Sequence, residues 1–417
     1  MFFSFIEIVL ASIYFVTLYY AIFWLLVILE SPLEKNRRLG RLPSVTVVVP
    51  AFNEEENISM TAQSVLGLMY PQDRLQLIVV NDGSTDATLL RIHEFALTHA
   101  DRNIVVINQQ NHGKYEALNK ALARATGEFF VCLDADSLVE RDALRKMLPY
   151  FTSEKVGVVI PMLKVANPKN LLQKIQWYEY LINKFYNKMI SRLNCLHVAP
   201  GPFSVYRAAV LRKLGGFRKG HNTEDLEIAL RLQKHHYELI QMTEAEVTTI
   251  APHNLKELYA QRNRWNRGSF LNVLDSRNIL FNRSYGDFGM FYLPLVMASG
   301  FIVSVLVAIT FYYQLIKPAY KTIYNLSLVN FDVLTYLRHM AFNLSWLDVD
   351  YYKLALMLFV LVITGVVVVL AHRMAHERIA AKGLFPLIAG VMFYYLLLGI
   401  VWMGVFKDLI LKKWQRW

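Results

Sequence analysis

The run Val45-Thr46-Val47-Val48-Val49 ends in Pro50-Ala51-Phe52-Asn53-Glu54, and this change from β-branched to polar residues is the first of four. Leu75–Val80 gives way to Asn81-Asp82-Gly83-Ser84. Ile104–Ile107 is followed closely by Asn111-His112-Gly113-Lys114, and Phe129–Leu133 leads into Asp134-Ala135-Asp136. Short runs of this composition predict strands. Between them Glu54–Leu68, Thr85–Leu97 and Lys114–Ala125 carry helical patterns. Strands alternating with helices imply βαβ units, hence an α/β domain with a mostly parallel sheet and helices on both faces. Each polar cluster then falls at the carboxyl end of a strand, the edge where open α/β sheets bind ligands. One such cluster is ordinary turn chemistry, but four in succession make that edge a site.

Outside this domain the chain is apolar in blocks. Gly289–Ile316, Leu354–Ala371 and Leu384–Phe406 contain no charge, and Met1–Leu29 carries only Glu7. About 20 apolar residues cross a bilayer core. The expected organisation is a transmembrane helix over 1–29, a cytoplasmic domain over 30–288, and a membrane domain of about three helices over 289–417. Lys35, Arg37, Arg38 and Arg41 after the first block predict a cytoplasmic location for the following domain of a multi-pass cell-membrane protein. The loop with Arg373, Arg378 and Lys382 agrees. The tail, with Lys407, Lys412, Lys413 and Arg416, does not agree with four spans. Either it lies on the membrane surface or Ile323–Trp346 adds a crossing.

Composition excludes other classes. Of 417 residues 55% are hydrophobic and 18% charged, against a usual charged share of roughly 25%, so the chain is not disordered. Cys132 and Cys195 are too few for a disulfide framework or a multi-cysteine zinc site, and read as core residues. No Walker-type loop or G-x-G-x-x-G occurs, which removes the phosphate cradle of a kinase or dinucleotide enzyme. The net charge of +11 suits an anionic inner leaflet and anionic nucleotides. No nucleic-acid partner is expected.

Asp134-x-Asp136 can share a hard cation, Mg²⁺ or Mn²⁺, whose other ligands are phosphate oxygens, or can simply cap a turn. A metal-bound diphosphate held without a glycine loop suggests a nucleotide-sugar. Asp82 suits a uracil imide N–H or an Asx-turn, and Lys114 suits a phosphate or solvent. Thr223-Glu224-Asp225 opens a helix with Thr223 as N-cap. Acids are ordinary in a first turn, yet crowding near a metal site could tune Asp225 as a general base. In Gln261-Arg262-Asn263-Arg264-Trp265, arginine suits a diphosphate and tryptophan a sugar face, while an interfacial Arg/Trp belt is the plainer reading.

Taken in order, these motifs resemble the membrane-embedded processive β-glycosyltransferases of glycosyltransferase family 2, which include cellulose, chitin, hyaluronan and poly-N-acetylglucosamine synthases. The matching pieces are Val49–Glu54, Val80–Ser84, Gly113-Lys114-x-x-Ala117-Leu118-Asn119, Leu133–Asp136, Thr223–Asp225 and Gln261-x-x-Arg264-Trp265, spread over about half the chain. The resemblance is greatest to the bacterial poly-N-acetylglucosamine synthases. It implies a GT-A type domain inserted between N- and C-terminal transmembrane helices, a UDP-sugar donor, inversion at the anomeric carbon, and a growing polysaccharide as acceptor.

By the same resemblance Phe52, Glu54 and Asp82 hold the uridine, and Lys114 and Asp134 engage the diphosphate. Asp134 and Asp136 bind Mg²⁺ or Mn²⁺, and Asp225 is the catalytic base. Gln261 and Arg264 close over the diphosphate, and Trp265 with Glu224 meets the acceptor. Gln176, Glu179, Tyr180, Pro202 and Phe203 resemble segments lining the acceptor path. Membrane lipids surround the spans, and a small membrane subunit or a homo-oligomer would complete an export channel. The nearest alternative is transfer of one sugar to a lipid, as in ceramide glucosyltransferases; a non-catalytic scaffold is a further one.

Overall fold

The computed structural model describes residues 41–339 and 351–411, with a few helical residues between 15 and 27. The expected span 1–29 and the basic cluster from Lys35 to Arg38 therefore lie largely outside the described residues. Phe23 is described, and its ring packs 5.7 Å from that of Phe291.

Strands β1 (Val45–Ala51), β2 (Leu75–Asp82), β3 (Ile104–Gln109) and β4 (Phe129–Cys132) are joined by helices α1 (Ile58–Leu66), α2 (Thr88–Thr98) and α3 (Lys114–Arg124). All pairings among these strands are parallel. β2 is buried along its whole length, as expected of a strand covered on both faces. α3 buries Ala117, Leu118, Ala121 and Leu122, a single stripe that leaves Lys114 at the edge of the sheet.

Next come β5 (Leu138–Val139), α4 (Ala143–Met147), β6 (Val156–Val165), α5 (Leu171–Arg192), β7 (Ser204–Arg207), α6 (Ala208–Lys213), α7 (Glu224–Lys234) and β8 (Glu238–Thr249). The eight-stranded order is β3-β2-β1-β4-β7-β6-β8-β5. β7 runs antiparallel to both β4 and β6, and β5 antiparallel to β8, while β6 and β8 are parallel. The sheet is thus parallel in its first half and mixed in its second. Strand direction follows from the connections, which a hydrophobic run does not encode.

Helix α8 (Leu255–Asp275) then leads to α9 (Leu293–Phe311), α10 (Lys317–Leu328), α11 (Val333–His339), α12 (Tyr351–Met374) and α13 (Leu384–Ile410). Three helical stretches are long and apolar enough to cross a membrane: Phe288–Leu328, Met357–Met374 and Leu384–Ile410. The first does not stop at Ile316. From Phe288 to Leu328 it runs 41 residues in all, roughly 60 Å of helix, against about 30 Å of hydrocarbon. Pro318 does not end it, standing in the first turn after a π-helical segment where a missing N–H is tolerated. A turn at Val329–Asp332, with Asn330 and Phe331 at positive φ, divides Ile323–Trp346. That segment is therefore not one continuous helix among the described residues; 340–350 lie outside them.

Glycines let α9 and α13 meet closely. A Cβ on Gly300 would lie 2.5 Å from the Trp402 ring, and one on Gly399 would overlap Val307. Small residues are the usual means of close helix approach in lipid. Gly399→Leu is expected to destabilise the protein by about 1–3 kcal/mol, the usual cost of overpacking. Gly365→Leu, with nothing within 4 Å of an added Cβ, is the control expected to melt like wild type in detergent.

Candidate active site

The strand order places the reversal point between β1 and β4, where the crevice of an open α/β sheet forms. The loop leaving β1 is tied to the loop leaving β2. The Asn53 amide N–H donates to Ser84 Oγ (3.0 Å), Thr85 N–H to Asn53 Oδ1 (2.8 Å), and Glu54 N–H to Thr88 Oγ1 (2.8 Å). Phe52 beside them is exposed.

Asp82 is buried and forms no Asx-turn of its own. Oδ1 accepts from Gln109 Nε2 (2.6 Å) and His112 N–H (3.1 Å), and Oδ2 accepts from Gly113 N–H (3.0 Å). It fixes the loop that delivers Lys114. Lys114 is not a solvated lysine: its Nζ lies 2.6 Å from Asp134 Oδ1 and 3.0 Å from Glu224 Oε1. Burial opposes its charge, but Asp134 and Glu224 outweigh this and hold its pKa well above the ordinary lysine value. Beside this bridge a cleft of about 200 Å³ is lined by Gly113, Lys114, Lys219, Asn222 and Glu224, among others.

Pro200-Gly201-Pro202-Phe203 passes directly over the bridge. A Cβ on Gly201 would sit 2.5 Å from Lys114 Nζ and 2.7 Å from Asp134 Oδ1. Only glycine fits. Gly201 is not among the residues expected from the sequence; Pro-Gly-Pro signals a turn but not what the turn covers.

Glu224 and Asp225 begin α7 in unlike surroundings. Burial disfavours the charge on Glu224, yet Lys114, its own backbone N–H and Arg264 together lower its pKa. For Asp225, burial and the neighbouring Glu224 charge push the carboxyl up to about 6, against the pull of Lys114 and Arg264. Adjacent acids driven apart in this way suit different tasks. Thr223 holds the N-cap position, but its hydroxyl does not cap: it donates to Gly220 carbonyl O (2.8 Å) and accepts from Asn272 Nδ2 (2.9 Å). The competing bond forms because Gly220, His221 and Asn222 all have positive φ and curl the loop back on itself.

Asp136 accepts from Ser137 Oγ at 3.0 Å. Burial, then the charges of Asp134 and Glu54, push its carboxyl up to about 6. Burial and Asp134 likewise contribute to raising Glu54. Negative charge is thus in excess here, which fits a divalent cation. Among the described residues no three His, Cys, Asp or Glu side chains form a complete cation cage. Two carboxylates alone fit a cation that takes its remaining ligands from a phosphorylated substrate.

On α8, Arg264 Nη1 donates to the Asn222 carbonyl O (3.1 Å), so this helix holds the loop before Glu224. Gln261 Oε1 is buried without a hydrogen-bond partner among the described residues. Trp265 is covered by Arg262, whose guanidinium lies 4.3 Å from the ring. Arg262 also pairs with Glu179 (2.7 Å) and donates to Tyr394 Oη on α13 (3.2 Å). Tyr180 is buried beneath the same guanidinium, at 5.8 Å. Gln176 Nε2 donates to the Pro252 carbonyl (3.0 Å), while its Oε1 is buried without a hydrogen-bond partner among the described residues. Phe203 is fully buried at φ 61°. The structure therefore brings Lys114, Asp134, Glu224, Asp225 and Arg264 together, with Asp136 and Glu54 alongside and Asp82 behind.

The family model for Glycosyl transferase family 2 matches residues 46–215, which carry β1 to β7. The chain is 30% identical over 285 residues to "Probable glycosyltransferase YdaM" of Bacillus subtilis, an alignment covering 64% of this chain and 68% of that protein. The chain belongs to glycosyltransferase family 2. The glycosyltransferase is also 30% identical over 230 residues to poly-β-1,6-N-acetyl-D-glucosamine synthase of Staphylococcus epidermidis. That match spans only 55% of either chain, so the glycosyltransferase covers about half the length of this relative. Among solved structures, a mannosyltransferase of Pyrobaculum calidifontis, in complex with GDP-Man and Mn²⁺, superposes with a TM-score of 0.56. It is 24% identical and covers 72% of the glycosyltransferase and 86% of its own chain; the likeness is one of fold. The GT-A expectation drawn from the motifs agrees with it.

Proposed function

We propose that this glycosyltransferase builds a β-linked polysaccharide, adding N-acetylglucosamine from a UDP-sugar at the cytoplasmic face of the cell membrane. The observation that carries the reading is the Lys114 bridge between Asp134 and Glu224, which joins the β4 aspartates to the helix bearing Asp225. Similarity to the poly-β-1,6-N-acetyl-D-glucosamine synthase supports the sugar and the polymer.

In the proposed reaction an acceptor hydroxyl attacks the anomeric carbon opposite the leaving group. The new C–O bond forms as the sugar–phosphate bond breaks, the hydroxyl proton passes to Asp225, and the nucleoside diphosphate departs. Inversion makes an α-linked donor's product β-linked. Mg²⁺ or Mn²⁺ held by Asp134 and Asp136 would neutralise charge on the departing diphosphate. Lys114, Gln261 and Arg264 supply the remaining donors to its oxygens. Phe52 and Glu54 flank the uridine. Asp82, with both oxygens engaged, serves that pocket by holding the 109–113 loop. Trp265, its ring fixed by Arg262, supports the acceptor sugar next to Glu224.

A polar polymer cannot cross bare hydrocarbon, so the spans beside the acceptor path would serve its exit, completed by a partner subunit or a second copy. Purified protein in nanodiscs, given a panel of UDP-sugars with Mg²⁺ or Mn²⁺, is expected to make a high-mass, glycosidase-sensitive product, and none with EDTA. Asp136→Ala should need far more metal for donor binding. A single organic-extractable glycolipid would instead establish lipid transfer, and failure to consume any UDP-sugar would overturn the proposal.

A further inference from the structure

On the far side of the loop before Glu224 lies a second, larger cavity of about 920 Å³, between α7 and α8. Its walls contain none of Asp82, Lys114, Asp134, Asp136 or Asp225; they share Arg264 with the proposed donor site, and Lys219 and Asn222, on the loop between the two, with the cleft beside the bridge. Six Lys or Arg side chains line it, against two carboxylates, Glu227 and Asp275. Those two acids are already engaged: Glu227 pairs with buried Arg231 (2.6 Å), and Asp275 with His221 (2.8 Å). Arg218, Lys219 and Lys234 stand exposed at the rim, with no carboxylate within ion-pair distance among the described residues, and Arg267 is buried deeper. Basic residues beside a membrane are commonly a flat, solvated belt. A concave site with a buried arginine is different, because it can surround an anion.

We propose that this cavity binds a phosphate-bearing group, separate from the sugar donor. Guanidinium forks and ammonium groups converging from several directions suit a tetrahedral, multiply charged oxyanion. Two sources share that chemistry: an anionic phospholipid headgroup and a soluble phosphate compound. The first is within reach, since α8 ends at Asp275 and the first described span begins at Phe288. Occupancy would also brace the Gly220–Thr223 loop, which Asn272 already ties to α8 at 2.7 and 2.9 Å.

The full chain, in phosphatidylcholine nanodiscs with UDP saturating the donor site, is compared with an Arg218→Gln/Lys234→Gln variant. One arm titrates fluorescent phosphatidylglycerol and the other inorganic pyrophosphate, both at low salt. At least a tenfold loss of affinity in the variant is expected in one arm or both. Loss in the lipid arm identifies a headgroup site, and loss in the pyrophosphate arm alone a soluble ligand. Equal affinity of the two proteins in both arms overturns the proposal. UDP binding and the melting temperature check folding, and Lys234→Gln alone, with a smaller loss, replaces the double variant if that does not fold. Binding is read here rather than transfer, so failure of this inference is distinguishable from failure of the polymerase reading.

Discussion

Asp225→Asn is expected to leave UDP-sugar binding within about threefold of wild type while lowering turnover by roughly 10²- to 10⁴-fold, the range for loss of a general base. Its pH dependence is the sharper signature. A base acts as the carboxylate, and burial together with Glu224 has pushed this one up to about 6. Wild-type turnover should therefore be level above that pH and fall as pH drops through it, about tenfold per unit. Asp136 is also pushed up to about 6, but by burial, Asp134 and Glu54 rather than by Glu224. Glu224→Gln separates the two, since it removes a charge that raises Asp225 and so should move the acid limb to lower pH. Wild-type turnover in the Asn variant would refute the base assignment.

Gly201→Ala should be nearly as damaging, although no chemistry is assigned to that residue. The added methyl would occupy space now shared by Lys114 Nζ and Asp134 Oδ1. Both are ends of side chains rather than backbone, so they can move aside and the fold should persist, with a melting temperature close to wild type. Moving them separates the bridge that organises the site. A misplacement of about 1 Å can cost about 10²-fold, and a loss of that order in kcat/KM, with weakened UDP binding by calorimetry, is expected. Unchanged kinetics would mean that the bridge is not part of the donor site.

How far the sequence discloses this arrangement differs from element to element. The first four strands were legible because each apolar run ends in a polar cluster, a local signal. The antiparallel insertion of β7 between β4 and β6 was not, because direction depends on where a distant connection returns. Residue type alone does not separate Arg262 from Arg264; only the motif resemblance singles out Arg264. Two positions apart on a helix they face different ways, one to Glu179 and Tyr394, the other to the Asn222 carbonyl. Which face of α8 meets the apolar helix α13 is decided by a tyrosine 132 positions further on. The hydroxyl of Thr223 follows the same rule, since a cap was available locally and Asn272 on α8 drew it elsewhere.

The attachment of α8 to α13 has a consequence for how the enzyme can be handled. Arg262 meets Tyr394, Asn263 Nδ2 meets Asp408 Oδ2 (3.3 Å), Phe270 packs edge-on against Phe406, and Tyr259 reaches Gly404. The same α8 grips the turn ahead of Asp225. Excising the sheet domain as a self-sufficient module would thus strand buried polar groups along one side of α8 and loosen the grip on the other. The reaction centre and the apolar helices behind it are one mechanical unit.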